Sequence, residues 1–281
     1  METVMQQTSK YNETSDCKRP ASAKVSYRNK GGRYHLIDAF RGLAMIAMIF
    51  YHFVYDVQVI YYGNGGWPLL STSRIWQQYI CWTFIFVSGY VWAWSWRKIF
   101  QRGLILNLLG LGITAVTVLV MPEEAIYFGV LNLIGCSIWL MGLVERGTRN
   151  WRPWLGAFLA FILFLLCYEV PWGSFGLGIF HPTLAIDLPK TLYSSIIFVP
   201  LGLPPASFSS SDYFPLLPWF WLFVTGHFVR QGLSRIKNLE NILRTQIPVL
   251  SSWGRYTLPI YLLHQPLLIL FLEVWHNFFN S

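Results

Sequence analysis

Seven stretches of the chain are almost wholly apolar over close to the roughly 20 residues that a bilayer-spanning helix needs. They lie at about 36–61, 75–96, 103–121, 126–144, 153–170, 213–229 and 256–275, with short polar segments between them. The pattern predicts an all-α, polytopic transmembrane helix bundle of about seven spans. A further apolar piece, LYSSIIFVPLGLPP, is too short to cross and too rich in proline, so it is expected to be re-entrant or packed against the outer surface. Residues 1–35 are polar, rich in Lys and Arg and without an apolar core, which predicts a disordered cytoplasmic tail rather than a secretion signal. The membrane domain is then 36–276.

The polar segments fix an orientation. Lys and Arg concentrate in the tail, in Arg97, Lys98 and Arg102, in Arg146, Arg149 and Arg152, and in Arg230, Arg235, Lys237 and Arg244. The alternate segments hold Asn64 and Gly66, the Pro122, Glu123, Glu124 turn, and the stretch from Glu169 to Asp212. By the positive-inside rule the N-terminus is cytoplasmic and the C-terminus lies outside.

Composition agrees: of 281 residues 54% are apolar and 12% charged, against about 25% charged in soluble domains. The formal charge of +8 is accounted for by topology and anionic lipid headgroups, so no nucleic-acid partner is implied. Trp92, Trp94 and Trp96 at the end of the second span read as interfacial anchors. Cys17, Cys81, Cys136 and Cys167 show no paired spacing, and neither a metal site nor a disulfide is expected.

Against this background the first span, LIDAFRGLAMIAMIFYHFVYDVQVIYY, stands apart because it carries Asp38, Arg41, His52 and Asp56. At 100° per residue these four fall within an arc of roughly 60°. Facing lipid, each central charge would cost about 2.5 to 3.5 kcal/mol, so the stripe is expected to face other helices or a water-filled cavity. A structural polar seam is the plainer account, although such seams commonly use Ser, Thr or Asn. His52 and Asp56 are one helical turn apart, so the carboxylate could orient the imidazole. His52 lies about 24 Å along the helix from Leu36, with Asp38 and Arg41 at the cytoplasmic end. That geometry suits a long phosphate-bearing donor: Asp38, Arg41, Arg97, Lys98 and Arg102 hold it, and His52 with Asp56 takes a proton from a hydroxyl or amine attacking a thioester. The same pair suits a proton relay in a carrier or exporter. His264 and Gln265, before Pro266 in the last span, and Asn132 in the fourth are candidates to line the site; interhelical packing explains them equally well.

Several stretches are similar to a known family: LIDAFRGLAMIAMIFYHFVYD, FIFVSGYVWAWSW, KIFQRGLILNLLGLGITAVT, IYFGVLNLIGCS, DYFPLLPWFWLFVTG and WGRYTLPIYLLHQPLL. In order, over about 33–275, they resemble bacterial membrane proteins grouped with the catalytic domain of heparan-alpha-glucosaminide N-acetyltransferase. The resemblance implies a bacterial cytoplasmic-membrane enzyme that uses acetyl-CoA as co-substrate. It would move the acetyl group to an extracytoplasmic sugar, envelope glycan or small amine or hydroxyl acceptor. Asp38 and Arg41 match the family's opening motif, His264 and Gln265 its closing one. Two departures stand out. The loop YYGNGGWPLLSTSR carries no histidine where the lysosomal enzyme has a reactive one, and Asn132 stands where many bacterial relatives have histidine. A homo-oligomer is compatible with the sequence, which does not fix the assembly.

Overall fold

The computed structural model of the protein describes residues 34–279 except 65, 68, 69, 93–97, 149, 179 and 237. The predicted tail up to residue 33, Trp94, Trp96 and Arg97 therefore lie outside the described residues.

Seven long helices coincide with the seven predicted spans: α1 His35–Tyr55, α2 Ser71–Val91, α3 Ile99–Val120, α4 Val130–Thr148, α5 Pro153–Cys167, α6 Leu216–Leu233 and α9 Thr257–Phe279. Two short helices, α7 Leu239–Leu243 and α8 Pro248–Arg255, precede the last. The first span does not end at Tyr55: it continues as a π-helical turn, Asp56–Tyr61. The fourth starts later than its apolar run because Phe128 adopts a positive φ of 56°, which interrupts the helix before Val130.

Among the described residues five helices are long and apolar enough to cross a membrane: those at His35–Val59, Ile99–Val120, Val130–Thr148, Pro153–Trp172 and Thr257–Phe278. Helices α2 and α6 are as long but more polar, α2 through Ser71, Thr72, Arg74, Gln77 and Gln78 in its first two turns and α6 through His227, Arg230 and Gln231 toward its end. Helix α6 packs along both α5 and α2, and its core residues Phe223, Val224 and Phe228 are fully buried with Phe164 of α5 and Ile85 of α2. Close approach is enforced where a Cβ at Gly89 would lie 1.9 Å from the Phe223 carbonyl oxygen. Helix α3 packs on α4, α9 packs on α1, and α3 and α9 do not pack along one another.

The non-spanning reading of LYSSIIFVPLGLPP agrees with what forms: 3₁₀ turns at Lys190–Tyr193 and Ile196–Leu201, after a two-stranded hairpin of β1 Ser174–Gly176 and β2 Ala185–Asp187. The segment lies against the start of α6, where the Tyr213 hydroxyl donates to the Val199 carbonyl.

Two residues near span ends lie deeper than their position suggests. Trp92 is not an interfacial anchor: it is 1% exposed, and its indole N–H donates to the Ile138 carbonyl at 3.0 Å. His227 lies toward a span end, a position that by itself points to the headgroups, yet it is wholly buried because α6 is the central helix; it meets Trp92 edge-on at 5.2 Å and Gln231 at 2.7 Å.

Candidate functional site

Three residues of the stripe on α1, Arg41, His52 and Asp56, line a cavity that the first and last long helices help to build. Helix α8 lies on the first turns of α1, where a Cβ on Gly254 would stand 1.6 Å from the Asp38 carbonyl oxygen and one on Gly42 2.1 Å from that of Leu250. The Ser251 hydroxyl donates to the His35 carbonyl at 2.9 Å. This junction places Arg255 and the start of α9 beside Arg41, and sends α9 along the stripe.

The cavity measures about 1210 Å³ and is walled by α1, α2, α3, α4 and α9. Arg41, Arg102 and Arg255 mark one end, where Ile37 of α1 clusters with Val87 and Val91 of α2. Glu124, Ser211 and Asp212 mark the other, and His52, Asp56, His264 and Gln265 line it between. Along α3 it runs from Arg102 to Val120, about 27 Å at 1.5 Å per residue, close to the roughly 30 Å of a hydrocarbon core. Most of its wall is aliphatic, including Ile105, Leu109, Ile113, Leu131 and Ile134.

The polar centre is arranged differently from the expected His52–Asp56 pair. The α-to-π transition falls at Asp56, and its fully buried carboxylate accepts two hydrogen bonds from the Gln265 side-chain amide, 2.8 Å to Oδ1 and 3.1 Å to Oδ2. His52 faces His264, ring centroids 4.9 Å apart at 62°. The His264 Nδ1 lies 2.6 Å from the Tyr261 carbonyl oxygen.

Of the other predicted residues, Asp38 is buried and stands 3.8 Å from Arg41, so it positions that guanidinium from outside the lining. Lys98 is exposed and outside the lining as well. Asn132 sits between helices, donating to the Asn107 carbonyl at 3.3 Å, and fills the space that Gly110 leaves. It borders a separate void of about 10 Å³ with Asp212 and Tyr261. Gly112 has nothing within 4 Å of a Cβ and lines the main cavity.

The sequence reading missed Arg255, Glu124, Tyr51, Tyr55 and Tyr261. Arg255 carried a signal, since it stands directly before the closing motif. Asp212, in the connection before the sixth span, could cap that helix or edge an outer cleft by its position; α6 begins only at Leu216, and the Asp212 carboxylate lines the cavity and accepts hydrogen bonds from the Val130 N–H, the first residue of α4, and from the Tyr261 hydroxyl. Burial pushes its carboxyl up to about 6, and the two hydrogen bonds act in the opposite direction.

Chemically, the cavity offers three guanidiniums for an anionic group at one end, two imidazoles midway and carboxylates beyond. Among the described residues no three His, Cys, Asp or Glu side chains could hold a metal ion together. A family model described as heparan-alpha-glucosaminide N-acetyltransferase, catalytic, matches residues 33–266. No curated protein and no solved structure matches the chain.

Proposed function

The chain belongs to the family of the heparan-alpha-glucosaminide N-acetyltransferase catalytic domain, and from that premise we propose that it moves an acetyl group from cytoplasmic acetyl-CoA to an acceptor on the far side of a bacterial cytoplasmic membrane. It is a membrane protein of an acetyltransferase family; donor, direction and acceptor are the proposal. The acceptor is a sugar, envelope glycan or small molecule bearing an amine or hydroxyl.

One observation carries the reading: a single cavity about as long as the bilayer core is thick joins Arg41, Arg102 and Arg255 to His52 and His264 and continues to Glu124 and Asp212. Phosphates of the donor suit the guanidiniums, which bind them with charge-assisted, paired hydrogen bonds. The thioester then reaches the imidazoles, where a base can take the acceptor's proton as it attacks. The volume exceeds the usual 300–1,000 Å³ of a one-ligand pocket, leaving room for donor and acceptor together. The excess of Lys and Arg at the Arg41 end supports a cytoplasmic donor side.

A carrier could use the same passage, so the test separates the two. Purified protein in detergent is given radiolabelled acetyl-CoA, wild type beside His52→Ala and Arg41→Ala. Saturable binding with thioester consumption, lower affinity in Arg41→Ala and lost consumption in His52→Ala, is expected. Absence of binding by well-folded wild type would overturn the reading.

A further inference from the structure

We infer that His264 is the proton acceptor of the site, and that His264 Nε2 and Gln265 Oε1 together form a subsite for the hydrogen-bond-donating group of the acceptor. The inference rests on the acyl-transfer reading and adds which atoms receive the nucleophile.

The argument is one of hydrogen-bond accounting. A carbonyl oxygen cannot donate, so the 2.6 Å contact between His264 Nδ1 and the Tyr261 carbonyl places the ring's proton on Nδ1. In the neutral ring Nε2 is then a lone pair. Gln265 is fixed in the same way. Its nitrogen must face the two Asp56 oxygens, because an amide oxygen there would meet only acceptors, and Oε1 therefore points away from Asp56. Both remaining atoms, His264 Nε2 and Gln265 Oε1, are buried with no hydrogen-bond partner, and both residues line the cavity. Neighbouring residues on one helix thus hold two unmet acceptors just beneath the cavity wall, next to a carboxylate. His264 is 9% exposed, so bulk solvent does not satisfy it, and a buried polar group left unpaired is costly.

The matching ligand group is a donor: an amine with two N–H bonds, or a hydroxyl. A thioester carbonyl, which can only accept, is excluded from this spot and belongs on another wall. Attack from this subsite balances simply. The acceptor's nitrogen or oxygen bonds to the thioester carbonyl carbon, its proton passes to His264 Nε2, the carbon–sulfur bond breaks, and the departing thiolate takes that proton from Nε2 to leave as the free thiol of CoA. His52, edge-on to His264 at 4.9 Å, flanks the base and orients it.

Two measurements test the inference. The first is nitrogen NMR of the full chain labelled with ¹⁵N-histidine in detergent, which distinguishes the two neutral tautomers. A neutral histidine protonated at Nδ1 whose signal vanishes in His264→Gln is expected; an Nε2-protonated His264 overturns the proposal, whatever the kinetics show. The second uses water as the acceptor, through slow hydrolysis of bound acetyl-CoA. His264→Gln should bind acetyl-CoA within twofold of wild type and lose hydrolysis by about 10²- to 10⁴-fold, the range of general-base catalysis. His264→Gly should regain part of it with added imidazole. Equal hydrolysis in wild type and His264→Gln overturns the proposal while leaving the donor reading intact, whereas wild type that binds no acetyl-CoA overturns the donor reading instead.

Discussion

The Asp56 carboxylate and the Gln265 side-chain amide, 209 residues apart in sequence, are joined by hydrogen bonds of 2.8 and 3.1 Å in the middle of the protein. They tie the first span to the last at the depth of the two histidines. Replacing Gln265 by Leu leaves a buried carboxylate without its donor, and a loss of about 1–3 kcal/mol is expected. Asp56→Asn together with Gln265→Leu should cost less than the sum of the single changes. Thermal unfolding of the four proteins in one detergent measures this coupling, and strict additivity would show that the pair contributes nothing.

The three arginines of the cavity should act as a unit on the donor. Arg41→Ala, Arg102→Ala and Arg255→Ala are each expected to weaken acetyl-CoA binding about 10- to 100-fold, equivalent to about 1.4–2.7 kcal/mol. Lys98→Ala, whose side chain is exposed away from the cavity, should stay within twofold. Equilibrium binding of labelled acetyl-CoA decides between this arrangement and a general attraction to positive charge, for which Lys98→Ala would weaken binding too.

Two glycines should respond in opposite ways. A Cβ on Gly254 meets the Asp38 backbone at 1.6 Å, so Gly254→Ala must push α8 off α1 and should yield little folded protein by size exclusion. Gly112→Ala meets nothing within 4 Å and should fold like wild type. Gly112→Trp should also fold, yet obstruct the cavity and lower turnover.

Asp212 predicts a pH dependence of stability. Its folded carboxyl titrates near 6, above the ordinary 3.8, so the folded state holds its proton more tightly than the unfolded chain does. The stability from this site is fully present below pH 4 and is lost as pH rises through 6. Asp212→Asn keeps an acceptor for the Val130 N–H and cannot ionise. Wild type should therefore fall behind Asp212→Asn between pH 4 and pH 7, by on the order of 2 kcal/mol. Parallel melting curves of the two proteins across that range would count against the raised carboxyl.

Much of the fold was legible because bilayer length imposes a long, simple pattern, and one face of α1 was legible because ionisable residues in an apolar run are visible to periodicity alone. The centre of the site was less so. Spacing suggested that Asp56 would serve His52, but the turn that begins at Asp56 is π-helical, and a better donor arrives from α9. Glu124, Asp212 and Arg255 come from helix ends and connections, where local pattern says nothing about what lies across the bundle. Position near a span end points Trp92 and His227 to the membrane surface; both are buried because α2 and α6 pack at the centre, a fact of tertiary arrangement and not of either helix.

The bridge between the first and last spans also bears on how the protein is made. Asp56 enters the membrane with the first helix, while its partner Gln265 is still 209 residues from being synthesised. At about 5–20 residues per second that interval is roughly 10 to 40 s. Throughout it the leading helix carries a carboxylate that no later span has yet met, and neither the polar centre nor the Arg41–Arg255 end of the cavity exists. Completion of the chain is thus the event that brings the first helix its hydrogen-bond donor and closes the polar centre of the cavity.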